Sequence, residues 1–299
     1  MSKIAVLGAG VVGSAYAALL AGGGHEVTLI ARGERYRRLT KGLRVHLDAQ
    51  VLDERIAVSR SLAGVEHDTL VVAVRGDQLA DALGAASTSS APAVLLFSNP
   101  LGLREAAEQA LGRSRTVWCF SGVGGLIGAH GVMAHHVKQQ PTVVEWGQPC
   151  SGAAVDLLSS TGLQLRREPR MSDWLNTHTL FVAALASTVL MRPMETRRDR
   201  LTSARELTDG MREGFQAWER QGHTVVPANL RAIFGKVPAP VASAYWAHQF
   251  TRPVVTVSVL PHARATRGTE QQAVARRALD LVGSGAPAYT RLVHPMCAA

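Results

Sequence analysis

Apolar and polar positions along the chain fall into blocks with two different periods. Residues 3–7 (KIAVL) form a short apolar, β-branched run of the length of a buried strand. A glycine turn follows. Residues 14–20 then read as a helix and residues 25–31 (HEVTLIA) as a second strand. Residues 68–74 (DTLVVAV) and 93–98 (AVLLFS) repeat the strand pattern, with short helical segments between them. Alternating strands and helices predict a parallel sheet with crossover helices. Between residues 117 and 144 the runs shorten and fill with glycine (SGVGGLIGAHGVM), which predicts antiparallel strands extending or closing that sheet. Beyond about residue 170 the period becomes helical, over 174–190, 204–221, 241–250 and 269–282, with Pro193, Pro227, Pro238, Pro240 and Pro253 as punctuation. The pattern predicts an α/β fold: a nucleotide-binding domain over 1–168 and a helical domain over 169–299. It contains no internal repeat and no low-complexity tract.

Composition narrows the class. The chain has 299 residues, 46% of them hydrophobic, enough to fill two cores. Its formal net charge of +9 asks for an anionic partner. The basic residues are scattered, however, and the densest runs, 35–38 and 197–200, are not interleaved with aromatics, which speaks against nucleic acid. A small phosphate-bearing ligand accounts for part of the excess. Cys119, Cys150 and Cys297 are far apart and have no metal spacing, as expected in a reducing cytosol. The N-terminus runs straight into a strand. The apolar runs look too short, or too broken by glycine and polar residues, to span a bilayer. The expectation is a cytoplasmic protein with a small-molecule substrate and no nucleic-acid, membrane or metal partner. His135 and His136 are adjacent, so on a strand they face opposite ways and cannot share a ligand.

The turn GAGVVG follows a strand, opens a helix and leads to a second strand within about 30 residues, the context that makes GxGxxG informative. Gly8 permits the tight turn, Gly10 admits a pyrophosphate to the backbone, and Gly13 lets helix and strand pack closely. The helix start, with Val11 and Val12, then presents free N–H groups to the phosphates. After the second strand comes Arg32, where an NAD site carries an acid. A guanidinium there suits the 2′-phosphate of NADPH/NADP+ instead. Arg35, Arg37 and Arg38 either add to that charge or line a solvated helix.

Three stretches, GAGVVGS, HEVTLIARGERYRRLTKGLRV and VVAVRGDQL, resemble the ketopantoate reductase family. In that family the segment after the third strand reads K-x-x-Q; here it is Arg75-Gly76-Asp77-Gln78, with arginine for lysine. The next strand in the family ends in Asn-Gly. Here Asn99 is retained and Pro100 replaces the glycine. The resemblance implies a Rossmann-type domain and an all-helical C-terminal domain of the 6-phosphogluconate-dehydrogenase-like kind, with substrate between them. It also implies hydride transfer from NADPH to a 2-keto acid, with Arg32, Arg75, Gln78 and Asn99 on the cofactor.

The family's second-domain signature is W-x-K-L-x-x-N, in which the lysine serves the keto oxygen. Aligned on Trp174, the lysine slot holds Asn176 and the asparagine slot Leu180. His178 is a possible substitute acid, but it lies about 200° around the helix from that slot. Its other reading is a packed or capping residue beside Trp174. The family's late-helix substrate contact aligns with Glu270, with His262 and Arg267 nearby. These residues point to an NADPH-dependent reductase of a keto or imine substrate, with His178, Glu270 and Asn176 as candidate catalytic groups. Loss of the lysine argues against ketopantoate itself. Two alternatives stay open: a non-redox enzyme (cyclisation, elimination or isomerisation) and a ligand-binding protein on the same fold. Apolar helices in the second domain allow a homodimer.

Overall fold

In the computed structural model, all residues except Arg55, Lys138, Gln139 and Ala299 are described, the side chains of Val257 and Ser258 also excepted. The chain divides into two units, Met1–Met171 and Ser172–Ala299.

In the first unit, the β-branched runs become strands because their side chains are buried on both sides of one sheet. β1 (Lys3–Leu7) leads through the glycine turn to α1 (Val11–Gly22), β2 (Glu26–Ile30) and α2 (Gly33–Leu39). Next come β3 (Leu43–Leu47), β4 (Gln50–Glu54), β5 (Ala57–Ser59), β6 (Thr69–Val72), α3 (Leu79–Ala86), β7 (Ala93–Phe97) and α4 (Arg104–Leu111). The unit continues with β8 (Thr116–Phe120), β9 (Val123–Gly128), β10 (Gly131–His136), β11 (Thr142–Glu145), α5 (Ser151–Ser159) and β12 (Leu165–Glu168). Among the described residues, eight strands form one sheet in the order β12-β11-β8-β7-β6-β1-β2-β5. Every pair is parallel except β8 with β11. Its core includes Ile4, Val6, Leu29, Leu95 and the Tyr16–Phe97 ring pair, 4.5 Å between centroids. The Tyr16 hydroxyl is 2.5 Å from Thr142 Oγ1, and burial pushes its pKa up to about 12.

The glycine-rich stretch corrects the sequence reading in part. β11 does extend the main sheet antiparallel to β8. The β9–β10 hairpin does not; it joins β3 and β4 in a separate sheet ordered β4-β3-β10-β9. Glycine is the cause. A β-carbon on Gly125 would lie 2.0 Å from the Met133 carbonyl, and one on Gly131 2.6 Å from the Arg44 carbonyl. Only bare backbone lets β10 lie between β9 and β3. On β10, His136 Nδ1 meets Asp48 Oδ2 at 2.5 Å.

The second unit is helical: α6 (Met171–Met191), α7 (Arg197–Arg220), α8 (Ala228–Gly235), α9 (Ala239–Gln249), α10 (Leu260–Ala265), α11 (Gln272–Val282) and α12 (Pro287–Val293). Two π-helical stretches, Val254–Val259 and Arg267–Gln271, flank α10. Thr196 caps α7 reciprocally with Asp199. The Tyr289 hydroxyl donates to the Leu180 carbonyl at 2.7 Å and Ser187 to the Leu292 carbonyl at 2.6 Å, tying α12 to α6. α6 corrects a second expectation. It has 21 residues, and an 18-residue window of mean hydropathy 1.3 makes it long and apolar enough to cross a membrane. Its most apolar part is 61% buried within the structure, as the central helix of a folded unit would be.

Candidate functional site

The glycine turn is built by two close approaches and one open position. Gly8 has φ +113°, and a β-carbon on it would lie 2.3 Å from the Ala73 carbonyl oxygen. A β-carbon on Gly13 would lie 1.9 Å from the Gly8 carbonyl oxygen. Both glycines are therefore required by the protein's own packing. Gly10 differs: its φ of −74° suits any residue, and a β-carbon there would meet nothing within 4 Å. Nothing within the chain demands glycine at 10, whereas a ligand approaching the backbone does. Gly10 caps α1 without a side chain, and the first turn, with half-buried Val11 and Val12, holds no acidic residue. The helix dipole and the free N–H groups there are uncompensated, which fits a dinucleotide pyrophosphate.

The second strand delivers Arg32 to the surface at the start of α2. Arg32, Gly33, Arg37 and Arg60 line a pocket of about 270 Å³. The neighbouring arginines are not equivalent. Arg35 donates from Nε to the Ala9 carbonyl at 2.9 Å and from its other end to Ser14 Oγ at 3.0 Å. It braces the glycine turn rather than adding to the open charge, and its half-burial lowers its pKa from the free arginine value. Arg37 and Arg38 share Glu34, at 2.8 and 3.4 Å. Sequence alone could not separate these roles, because they depend on where α2 lies against the turn.

Two further loops follow the strands on the other side of β1. Arg75 grips Asp77 with two hydrogen bonds of 2.9 Å, so its charge is compensated, while Gln78 is exposed. Gly76 brings this loop against the next one, since a β-carbon there would lie 2.6 Å from the Asn99 carbonyl. Asn99 Oδ1 accepts from the Leu101 N–H at 3.3 Å, across a bend in which Leu101 has φ +47°. β1, β2, β6 and β7 are parallel. The glycine turn, Arg32, Arg75, Gln78 and Asn99 thus all follow the C-terminal ends of these strands, where ligands bind in open α/β sheets.

In the second unit the candidates separate. Asn176 is half-buried on α6. His178 stacks on Trp174, 5.4 Å between centroids and 5° between planes. Burial lowers its pKa to about 4, so at neutral pH it is an uncharged imidazole with no acidic proton to give. The Trp174 stack and the lowered pKa favour the packed reading of this histidine over that of a catalytic acid. Glu270 lies in the π-helical stretch after α10, with Oε2 3.3 Å from His262 Nε2. Oε2 is buried and has no hydrogen bond. Another acid–histidine pair, Asp173 with His223 at 3.3 Å, has His223 stacked on Trp218 at 3.7 Å. Among the described residues, no three His, Cys, Asp or Glu side chains converge as metal ligands.

Residues 4–148 match the family described as ketopantoate reductase PanE/ApbA. Among curated proteins no sequence matches the chain. Solved structures do resemble it over nearly its whole length. A ternary structure of D-mandelate dehydrogenase with NADH and anilino(oxo)acetate has a TM-score of 0.74 at 17% identity, covering 99% of this chain and 97% of that one. A putative ketopantoate reductase from Ralstonia solanacearum MolK2 has a TM-score of 0.75 at 16% identity, covering 100% and 97%. A PanE/ApbA family ketopantoate reductase from Ralstonia eutropha JMP134 has a TM-score of 0.67 at 21% identity, covering 99% and 97%.

Proposed function

Through residues 4–148 the chain belongs to the ketopantoate reductase family, and from that premise we propose that it is an NADPH-dependent reductase of a keto or imine substrate. The observation that carries the proposal is Gly10, a glycine the protein's own packing does not require, at an uncapped helix start. The glycine turn holds the pyrophosphate through backbone N–H groups, and Arg32 takes the 2′-phosphate. Asn99, at the end of β7, orients the nicotinamide ribose, and Gln78 serves the adenosine side with what Arg75 can spare from Asp77. The cofactor, when bound, supplies the hydride.

The substrate side rests on the second unit. Asn176 occupies the family's lysine position. Its amide N–H polarises a carbonyl or imine but has no proton to transfer. His178 is neutral and committed to Trp174. His262, with Nε2 3.3 Å from Glu270 Oε2, is the histidine of that region we assign to the substrate side. A neutral donor in place of an ammonium weakens the pull on a carboxylate, which favours a substrate less anionic than ketopantoate. The three cysteines are free, consistent with a reducing cytosol.

The test is a fluorescence titration with NADPH and with NADH. It is followed by NADPH oxidation assays on ketopantoate, phenylglyoxylate and cyclic imines. Tight NADPH binding with turnover of a carbonyl or imine is the expected result. Binding of neither cofactor would refute the reading. Bound NADPH that is never oxidised, while a ligand is converted, would move the protein to the non-redox class.

A further inference from the structure

The pocket beside Arg32 holds a second cation that no motif marks. β5 pairs with β2 in parallel register, Ile30 opposite Ser59, and the Ala31 N–H donates to the Ser59 carbonyl at 2.9 Å. The two strands therefore leave the sheet side by side, and Arg32 and Arg60 leave with them into one pocket. The Arg60 guanidinium lies over the Tyr36 ring, 4.7 Å from its centroid. Stacking uses the flat face of a guanidinium and leaves its N–H edge free for an anion.

Charge compensation sorts the three arginines of the pocket. Arg37 faces Glu34, which Arg38 also approaches. Among the described residues, neither Arg32 nor Arg60 has a carboxylate partner. Two uncompensated guanidinium groups in a small open pocket match a phosphomonoester, which carries nearly two charges and three acceptor oxygens. One arginine engages two of those oxygens; a second is needed to satisfy the dianion. A ribose hydroxyl in the same place would leave both cations unanswered. We infer that Arg60, presented by Tyr36, is a second specificity-determining residue for the 2′-phosphate of the cofactor, in a two-arginine clamp with Arg32. This inference rests on the NADPH reading above.

The test compares NADPH with NADH, and 2′,5′-ADP with 5′-AMP, in titrations of wild type, R60A, R60K, Y36A and Y36F. Wild type is expected to prefer the 2′-phosphorylated member of each pair. R60A should weaken NADPH and 2′,5′-ADP by roughly 10-fold or more and leave NADH and 5′-AMP unchanged, the loss of one charge-assisted contact. R60K should restore part of the preference, Y36A should lose part of it, and Y36F, which keeps the ring, should lose none. An R60A protein with the wild-type NADPH-to-NADH ratio would overturn the proposal and leave the NADPH reading standing. Equal weakening of both cofactors would also overturn it, since that is the mark of a merely structural arginine. A wild type with no preference would sink the NADPH reading and the clamp together.

Discussion

Replacing Gly10 by alanine separates binding from folding, because the two glycines that follow the first strand's turn differ in what surrounds them. At Gly10 the new methyl meets no protein atom within 4 Å, and the backbone is already in a conformation open to alanine. Alanine is a poorer helix N-cap than glycine by up to about 1 kcal/mol. Its smaller unfolded-state entropy offsets roughly 0.4–1 kcal/mol of that. The net stability change should therefore stay within about 1 kcal/mol, or ~4 °C in Tm. Binding should suffer far more. Phosphate oxygens hydrogen-bond backbone N–H groups at about 2.9 Å, while a methyl carbon holds other heavy atoms to roughly 3.5–4.0 Å. Losing one or two charge-assisted bonds, each worth ~1.5–3 kcal/mol, weakens NADPH by about 10- to 100-fold or beyond. G13A is the contrast. Its methyl would stand 1.9 Å from the Gly8 carbonyl oxygen, a backbone clash worth about 3 kcal/mol or more. Thermal unfolding without cofactor, alongside NADPH titration, reads both quantities. A G10A protein that binds NADPH as wild type does would refute the reasoning, because glycine at 10 would then serve no ligand.

Other perturbations test other parts of the molecule. R104M removes a guanidinium that contacts Glu108 at 2.8 Å and also Glu145; Glu108 keeps Arg113 at 3.2 Å, whereas buried Glu145 is left without a cation. Urea unfolding should show a loss of about 3–5 kcal/mol. For His178, with a folded pKa of about 4 against an ordinary 6.5, the unfolded chain binds its proton first as pH falls. Stability is complete above pH 6.5 and declines toward pH 4, by up to about 3 kcal/mol. H178Q should lose measurably less than wild type between pH 7 and pH 4.5, and identical pH profiles would contradict the desolvated stack. E270Q should lower kcat/KM for any carbonyl substrate by roughly 10-fold or more with NADPH affinity unchanged. An unchanged kcat/KM would remove Glu270 from the site. On the proposal that Asn176 stands at the family's lysine position, N176K should raise ketopantoate reduction above the wild-type rate in a steady-state assay.

Local signals in the chain were enough for the parts that depend on short stretches. β1 is a five-residue β-branched run and could be bounded to the residue, and β2, β6 and β7 were legible within one or two residues. The glycine turn and Arg32 were legible because strand, turn, helix and strand lie within one supersecondary unit, where spacing and position are nearly the same thing. Elements with weak or mixed periodicity were not. β3, β4 and β5 are short and partly exposed, so their polar positions hid them.

What the tertiary structure alone decided is everything set by contacts between distant segments. The β9–β10 hairpin left the main sheet because β3, far away in sequence, offers a strand that only glycines let it approach. Arg35 proved to be a brace and Arg60 a pocket residue, although their surroundings in sequence argue for neither. His178 and Glu270 show the same limit in the helical unit. A residue's type proposes a role, but its reach depends on the partner that folding places beside it: Trp174 for one, His262 for the other. Sequence patterns encode the periodic geometry of single elements. Charge compensation and desolvation are properties of the assembled neighbourhood, and they come into being only when remote parts of the chain meet.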